Sequence, residues 1–89
     1  MMKIMLDGVK EDRMPRIQVT LYAIEQFKKR ILQNNAVDDE YAKVRIMRYF
    51  QHAGYVGDSS SGILFRNRDK NIEFIVKERK IVTLFPINN

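Results

Sequence analysis

Eighty-nine residues are enough for one hydrophobic core and too few for two, and a chain 45% hydrophobic and 30% charged has the composition of a globular domain. A formal net charge of +5 and a sequence pI near 9.7 favour polyanionic or acidic partners. With no cysteine, disulfides, zinc–thiolate sites and cysteine nucleophiles are excluded.

Met1–Leu6 meets Asp7 at once and is too short for a secretory leader. No apolar run reaches the roughly 20 residues of a membrane span, so the expected setting is the cytoplasm, away from membranes. Met2, Ile4 and Leu6 alternate with Met1, Lys3 and Met5 as a short strand would. Residues 1–14 therefore read as an edge strand or as a mobile leader. Residues 16–19 are briefly extended before Thr20.

The first helix is predicted over 20–33. Thr20 is a suitable N-cap, and Val19 with Ile24 can close a hydrophobic staple. Ile24, Phe27 and Ile31 share a face, with Leu21 and Leu32 at its edge, and Asn34-Asn35 turns the chain. The opposite side carries Tyr22, Gln26 and Arg30 at four-residue spacing. A second helix is predicted over 38–53, capped by Asp38, with Asp39 and Glu40 suited to the positive end of the helix dipole. Gly54 is placed as the left-handed residue that ends it. Ala42, Ile46, Tyr49, Phe50 and Ala53 form its apolar side; Tyr41, Arg45, Arg48 and His52 form the other.

Gly57–Gly62 reads as a loop by composition. The period then changes to two: Ile63–Arg66, Ile72–Lys77 and Ile81–Phe85 alternate as strands, joined at 67–71 and at a glycine-free turn, Glu78-Arg79, where a bulge would help. Pro86 ends the pairing. The expected architecture is a single α+β domain over 1–89. Two helices pack on an antiparallel meander over 62–86, three-stranded or four-stranded with the N-terminal strand.

One histidine and no cysteine make no metal-ligand set, and Asp38, Asp39 and Glu40 read as caps, so no metal or other cofactor is expected. Ser59-Ser60-Ser61 lacks the pattern of a phosphate-cradling loop. His52 is the one side chain whose ordinary pKa lies near neutrality, which makes it the candidate proton carrier; the plainer reading is a surface histidine favoured by the helix C-terminus. Lys28, Lys29, Arg30, Arg45, Arg48, Arg66, Arg68 and Lys70 are interleaved with Tyr22, Tyr41, Tyr49 and Tyr55. Guanidinium groups clamp phosphates and aromatic rings stack on unpaired bases, although the same charges would also serve simply to solvate outer faces.

Paired helices before an antiparallel meander resemble the barnase/RelE-type toxin fold, which hosts metal-independent ribonucleases. More closely, residues 17–86 are similar to small phage and bacterial domains of uncharacterised function related to that group. Their first helix opens Thr-x-His-Ala, with arginines four and eight residues after the histidine. Here the stretch is Thr20-Leu21-Tyr22-Ala23, then Gln26 and Arg30, and Ile81-Val82-Thr83-Leu84-Phe85 matches the closing Val-Thr-Val-like run. Tyr22 stands in place of the histidine and Gln26 in place of an arginine. A tyrosine of ordinary pKa near 10 does not replace a neutral-pH base.

The expectation is a basic domain that binds RNA or another polyanion. It would be either a metal-independent endoribonuclease of the kind the resemblance implies or, with Tyr22 and Gln26 in place of the histidine and arginine, a binder without cleavage activity. His52, Arg30 and Tyr22 are the catalytic candidates: Arg30 with Arg48 would hold phosphate, His52 would move a proton and Tyr22 would stack on or hydrogen-bond the nucleotide. Lys29, Arg30, Arg45, Arg48, Arg66 and Arg68 are the nucleic-acid-binding candidates. The competing class is a non-enzymatic phage or mobile-element module that docks on an acidic host protein and inhibits it; a homodimer is compatible with either.

Overall fold

The computed structural model describes residues 17–87. The predicted strand at Met2–Leu6 lies outside them. In chain order the elements are strand β1 (Gln18–Val19), helix α1 (Leu21–Gln26), a π-helical continuation (Phe27–Leu32), helix α2 (Asp39–Gln51), and strands β2 (Gly54–Ser59), β3 (Gly62–Asn67), β4 (Ile72–Lys77) and β5 (Lys80–Pro86). The protein is α+β: two helical units, and one five-stranded sheet in the order β1-β5-β4-β3-β2.

Thr20 starts the first helical unit in extended conformation. Its Oγ1 accepts the Ala23 amide at 3.1 Å and donates to the carbonyls of Ile81 at 3.0 Å and Val82 at 3.3 Å. One hydroxyl thus caps α1 and ties it to β5. After Gln26 the backbone widens to i→i+5 bonding. That step brings Leu32 as well as Ile31 towards the core beside buried Phe27. Gln33 closes the segment in the left-handed region, φ 56°, and the Gln33 and Asn34 amides both donate to the Lys28 carbonyl. At the next helix the Asp38 carboxylate accepts the amides of Glu40 at 2.9 Å and Tyr41 at 3.2 Å. Lys28 Nζ pairs with Asp39 at 2.7 Å and links the two helical units.

The sheet corrects the expectation of three or four antiparallel strands in two ways. First, β1 runs parallel to β5, Gln18 opposite Lys80 and Val19 opposite Ile81, so the sheet is mixed. Second, Gly54–Ser59, whose second half was expected to be loop, pairs antiparallel with β3 as an edge strand. Its residues are mostly solvent-exposed, so no apolar alternation marks it. Ser60 and Ser61 make the reversal: Ser59 Oγ accepts the Ser61 amide at 3.2 Å and donates to the Gly62 carbonyl at 2.9 Å. Gly54 begins this strand without a positive φ; α2 ends instead at His52, φ −104°.

Elsewhere the period-two pattern sets the faces. Phe65 pairs with Phe74, Phe74 with Leu84, and Val76 with Ile81, all on the side the helices cover. At the glycine-free turn Glu78 and Arg79 both take positive φ, 54° and 65°, and a bulge follows: Val76 faces Ile81 while Ile75 faces Thr83, leaving Val82 extra. One buried cluster joins Ala23, Ile24 and Phe27 to Ala42, Ile46 and Phe50 and to the inner faces of β4 and β5. Phe50 packs edge-on against Phe65 at 5.1 Å and Phe74 at 5.4 Å, which seats the C-terminal half of α2 on the sheet.

Candidate functional site

Because Ala42, Ile46 and Phe50 are the buried stripe of α2, the helical period turns Tyr41, Arg45, Arg48 and His52 outward. Two shallow clefts adjoin on that side. The larger, about 460 Å³, is lined by Tyr41, Arg45, Arg48, Tyr49 and Lys70 among others; the smaller, about 260 Å³, by Tyr55, Val56, Arg66 and Arg68. His52, Asn67 and Asp69 border both, so the clefts form one continuous surface across α2 and the β3–β4 turn.

Within it, Arg45 is held between two rings. Its Nη1 donates to the Tyr41 hydroxyl at 2.7 Å and its Nη2 to the Tyr49 hydroxyl, while the guanidinium lies 5.5 Å and 5.2 Å from the two ring centroids. The hydrogen bonds to Tyr49 and then Tyr41 raise the Arg45 pKa above its ordinary value, so it stays charged. Lys70 Nζ sits 5.5 Å from the Tyr49 centroid. Tyr49 in turn meets Phe27 at 5.9 Å, which anchors the array to the core.

Asn67 positions the turn. It is the one buried polar residue among those described; its Nδ2 donates to the Tyr49 carbonyl at 2.8 Å and its Oδ1 accepts the Lys70 amide at 3.0 Å. Both ends of the amide are satisfied, and the turn carrying Arg68, Asp69 and Lys70 is fastened to the last turns of α2. Arg66 is committed to Glu73 across the β3–β4 pair, with Nε donating at 2.8 Å. At the outer rim the Tyr55 hydroxyl donates to Asp58 at 3.1 Å, and this bond to the carboxylate raises the Tyr55 pKa.

The candidate residues therefore divide. Arg45, Arg48, His52, Arg66 and Arg68 come together around the two clefts. Tyr22, Lys29 and Arg30 are exposed on the first helical unit and line neither. Between Tyr22 and Arg30, Gln26 is half-buried and its Oε1 is out of water without a hydrogen-bond partner among the described residues, so that stripe is not uniformly wet. His52 is exposed, and no described side chain is hydrogen-bonded to it as an orienting group. Asn67 was not singled out from sequence; an Asn at a strand end three residues before a turn amide is its local signal, but its bond to Tyr49 is long-range. Among the described residues no group of three His, Cys, Asp or Glu side chains gathers as metal ligands, and no helix is long and apolar enough to cross a membrane.

No family model, curated protein or solved structure matches this chain.

Proposed function

We propose that this chain is a small cytoplasmic RNA- or polyanion-binding domain whose binding face is formed by α2 and the β3–β4 turn. One observation carries the reading: Arg45, Arg48, Arg68 and Lys70 surround adjoining clefts together with Tyr41, Tyr49 and Tyr55, with Asp69 the only acid among the described residues that line either. Cations at that density attract phosphates, and the exposed rings of Tyr41 and Tyr55 beside them would accept unpaired bases. Arg66 contributes less, because Glu73 already neutralises it. The likeness to barnase/RelE-type toxins belongs to this proposal, supported by the order of two helices before antiparallel strands. Metal-independent cleavage would fall to His52, which stands where the two clefts meet.

The test is equilibrium binding of a short single-stranded RNA over a range of salt. Contact with about three to four phosphates gives a log–log salt slope of about −2 to −3. Arg48→Ala/Arg68→Ala should weaken binding and flatten the slope by about 1.4, since each of the two lost phosphate contacts removes about 0.7. If Tyr22→Ala/Arg30→Ala alone removed binding, the site would lie on the first helical unit instead. Binding without salt dependence, or none, would sink the reading. Incubation of the bound RNA with the parent chain and with His52→Ala asks the catalytic question separately; fragments formed only by the parent chain support endonuclease chemistry.

A further inference from the structure

We propose that the larger cleft is a receptor for a phosphate monoester, the terminal phosphate of an RNA strand. The proposal rests on the RNA-binding reading above and names what that surface grips most tightly.

The argument begins with Arg45. A guanidinium on an exposed helix face ordinarily gives up rotamer freedom when it closes on an anion, which weakens the grip. Here that freedom is already lost in the fold: Tyr41 and Tyr49, one turn before and one turn after, hold it by hydrogen bonds and flank it with their rings. Both phenol oxygens act as acceptors towards Arg45, so each hydroxyl hydrogen remains to be given. Among the described residues neither Tyr41 nor Tyr49 donates its hydroxyl to a protein acceptor. Since both hydroxyls meet at the same guanidinium, the donors are gathered in one place and not strung along the helix.

The charge around that place selects the ligand. Among the described residues Arg45, Arg48 and Lys70 line the cleft against Asp69, an excess of two positive charges from these four side chains. An internal phosphodiester carries one negative charge. A phosphate monoester carries about 1.5 to 2 at neutral pH and offers three strong acceptor oxygens. The cleft's balance and its donor set fit the monoester. A 5′-phosphate and a 3′-phosphate share this chemistry.

The experiment uses the full chain and three RNAs of one sequence: 5′-phosphorylated, 3′-phosphorylated, and hydroxyl at both ends. A phosphorylated end should bind about tenfold tighter at low salt, from charge-assisted bonds the hydroxyl end lacks. Which of the two strands gains identifies the source of the phosphate. Tyr41→Phe/Tyr49→Phe keeps both rings and removes both hydroxyls. It should bring the ratio of affinities towards one, with circular dichroism verifying the fold. Equal affinity for all three RNAs with a steep salt slope overturns this inference and leaves the RNA-binding reading standing. A ratio that survives in the double variant overturns its placement in this cleft. Failure of all three RNAs to bind overturns both.

Discussion

Asn67 shows how much one side chain can fix. Its amide bridges the Tyr49 carbonyl on α2 and the Lys70 amide in the β3–β4 turn, in a site nearly closed to water. Asn67→Ala removes both bonds and should cost about 1–3 kcal/mol in a denaturant titration. Exchange of the Lys70 amide with solvent should accelerate in parallel. Tyr55 and Asp58 offer a pH-dependent case. The Tyr55 pKa is raised because its protonated hydroxyl donates to the carboxylate. A raised folded-state pKa on tyrosine gives a stabilisation that is present below the unfolded value and lost as pH climbs through the folded one. Asp58→Asn should move the Tyr55 ultraviolet titration back towards its ordinary midpoint and remove that alkaline dependence.

Among the elements, the β2–β3 hairpin carries the sharpest contrast. Gly62 has φ 142°, and a Cβ there would lie 2.6 Å from the Val76 carbonyl oxygen. Gly62→Ala should cost on the order of 1–3 kcal/mol, through backbone strain and displacement of β4. Gly54 has open space and no positive φ, so Gly54→Ala should be neutral or stabilise by up to about 1 kcal/mol. Thermal melts of the pair test whether the first glycine serves the strand and the second the turn. This contrast also marks what could be read from the chain. Thr20 and Asp38 announce their helices because a cap is local chemistry, and β4 announces itself because its alternation faces a core. Gly54–Ser59 does neither: an exposed edge strand needs no apolar pattern, and its Gly, Asp and Ser content imitates a loop. The π-helical turn was equally hidden, since Phe27, Ile31 and Leu32 satisfy either spacing well enough and the packing decides.

At the scale of the whole molecule, the basic residues sort themselves by topology. Sequence placed Arg30 and Arg48 in one candidate site, because both sit on wet helix faces. Packing turns α2 and the β3–β4 turn to a common surface and leaves Arg30 on another unit, while Lys28 is consumed by Asp39 and Arg66 by Glu73. Such pairings depend on residues distant in sequence and have no local signature. The sheet margins are managed as well. The β2 edge carries a register shift between Tyr55 and Gly57, and β1 is two residues long. Neither is a good template for strand addition by another chain.

The parallel contact between β1 and β5 also bears on the order in which the protein assembles. The strands from β2 to β5 close through short turns, whereas the Thr20 hydroxyl finds its carbonyl 61 residues away. Closing a loop of that length is entropically expensive, and its bonds give no return until the meander exists. The first helix is therefore expected to dock late, clasped at its start by a strand already in place. Thr20→Ala should cost about 1–2 kcal/mol. In stopped-flow chevrons nearly all of that loss should appear as faster unfolding, with the refolding arm almost unmoved. A mutant that instead refolded slowly would place the clasp in the folding nucleus, and the helix would lead the sheet.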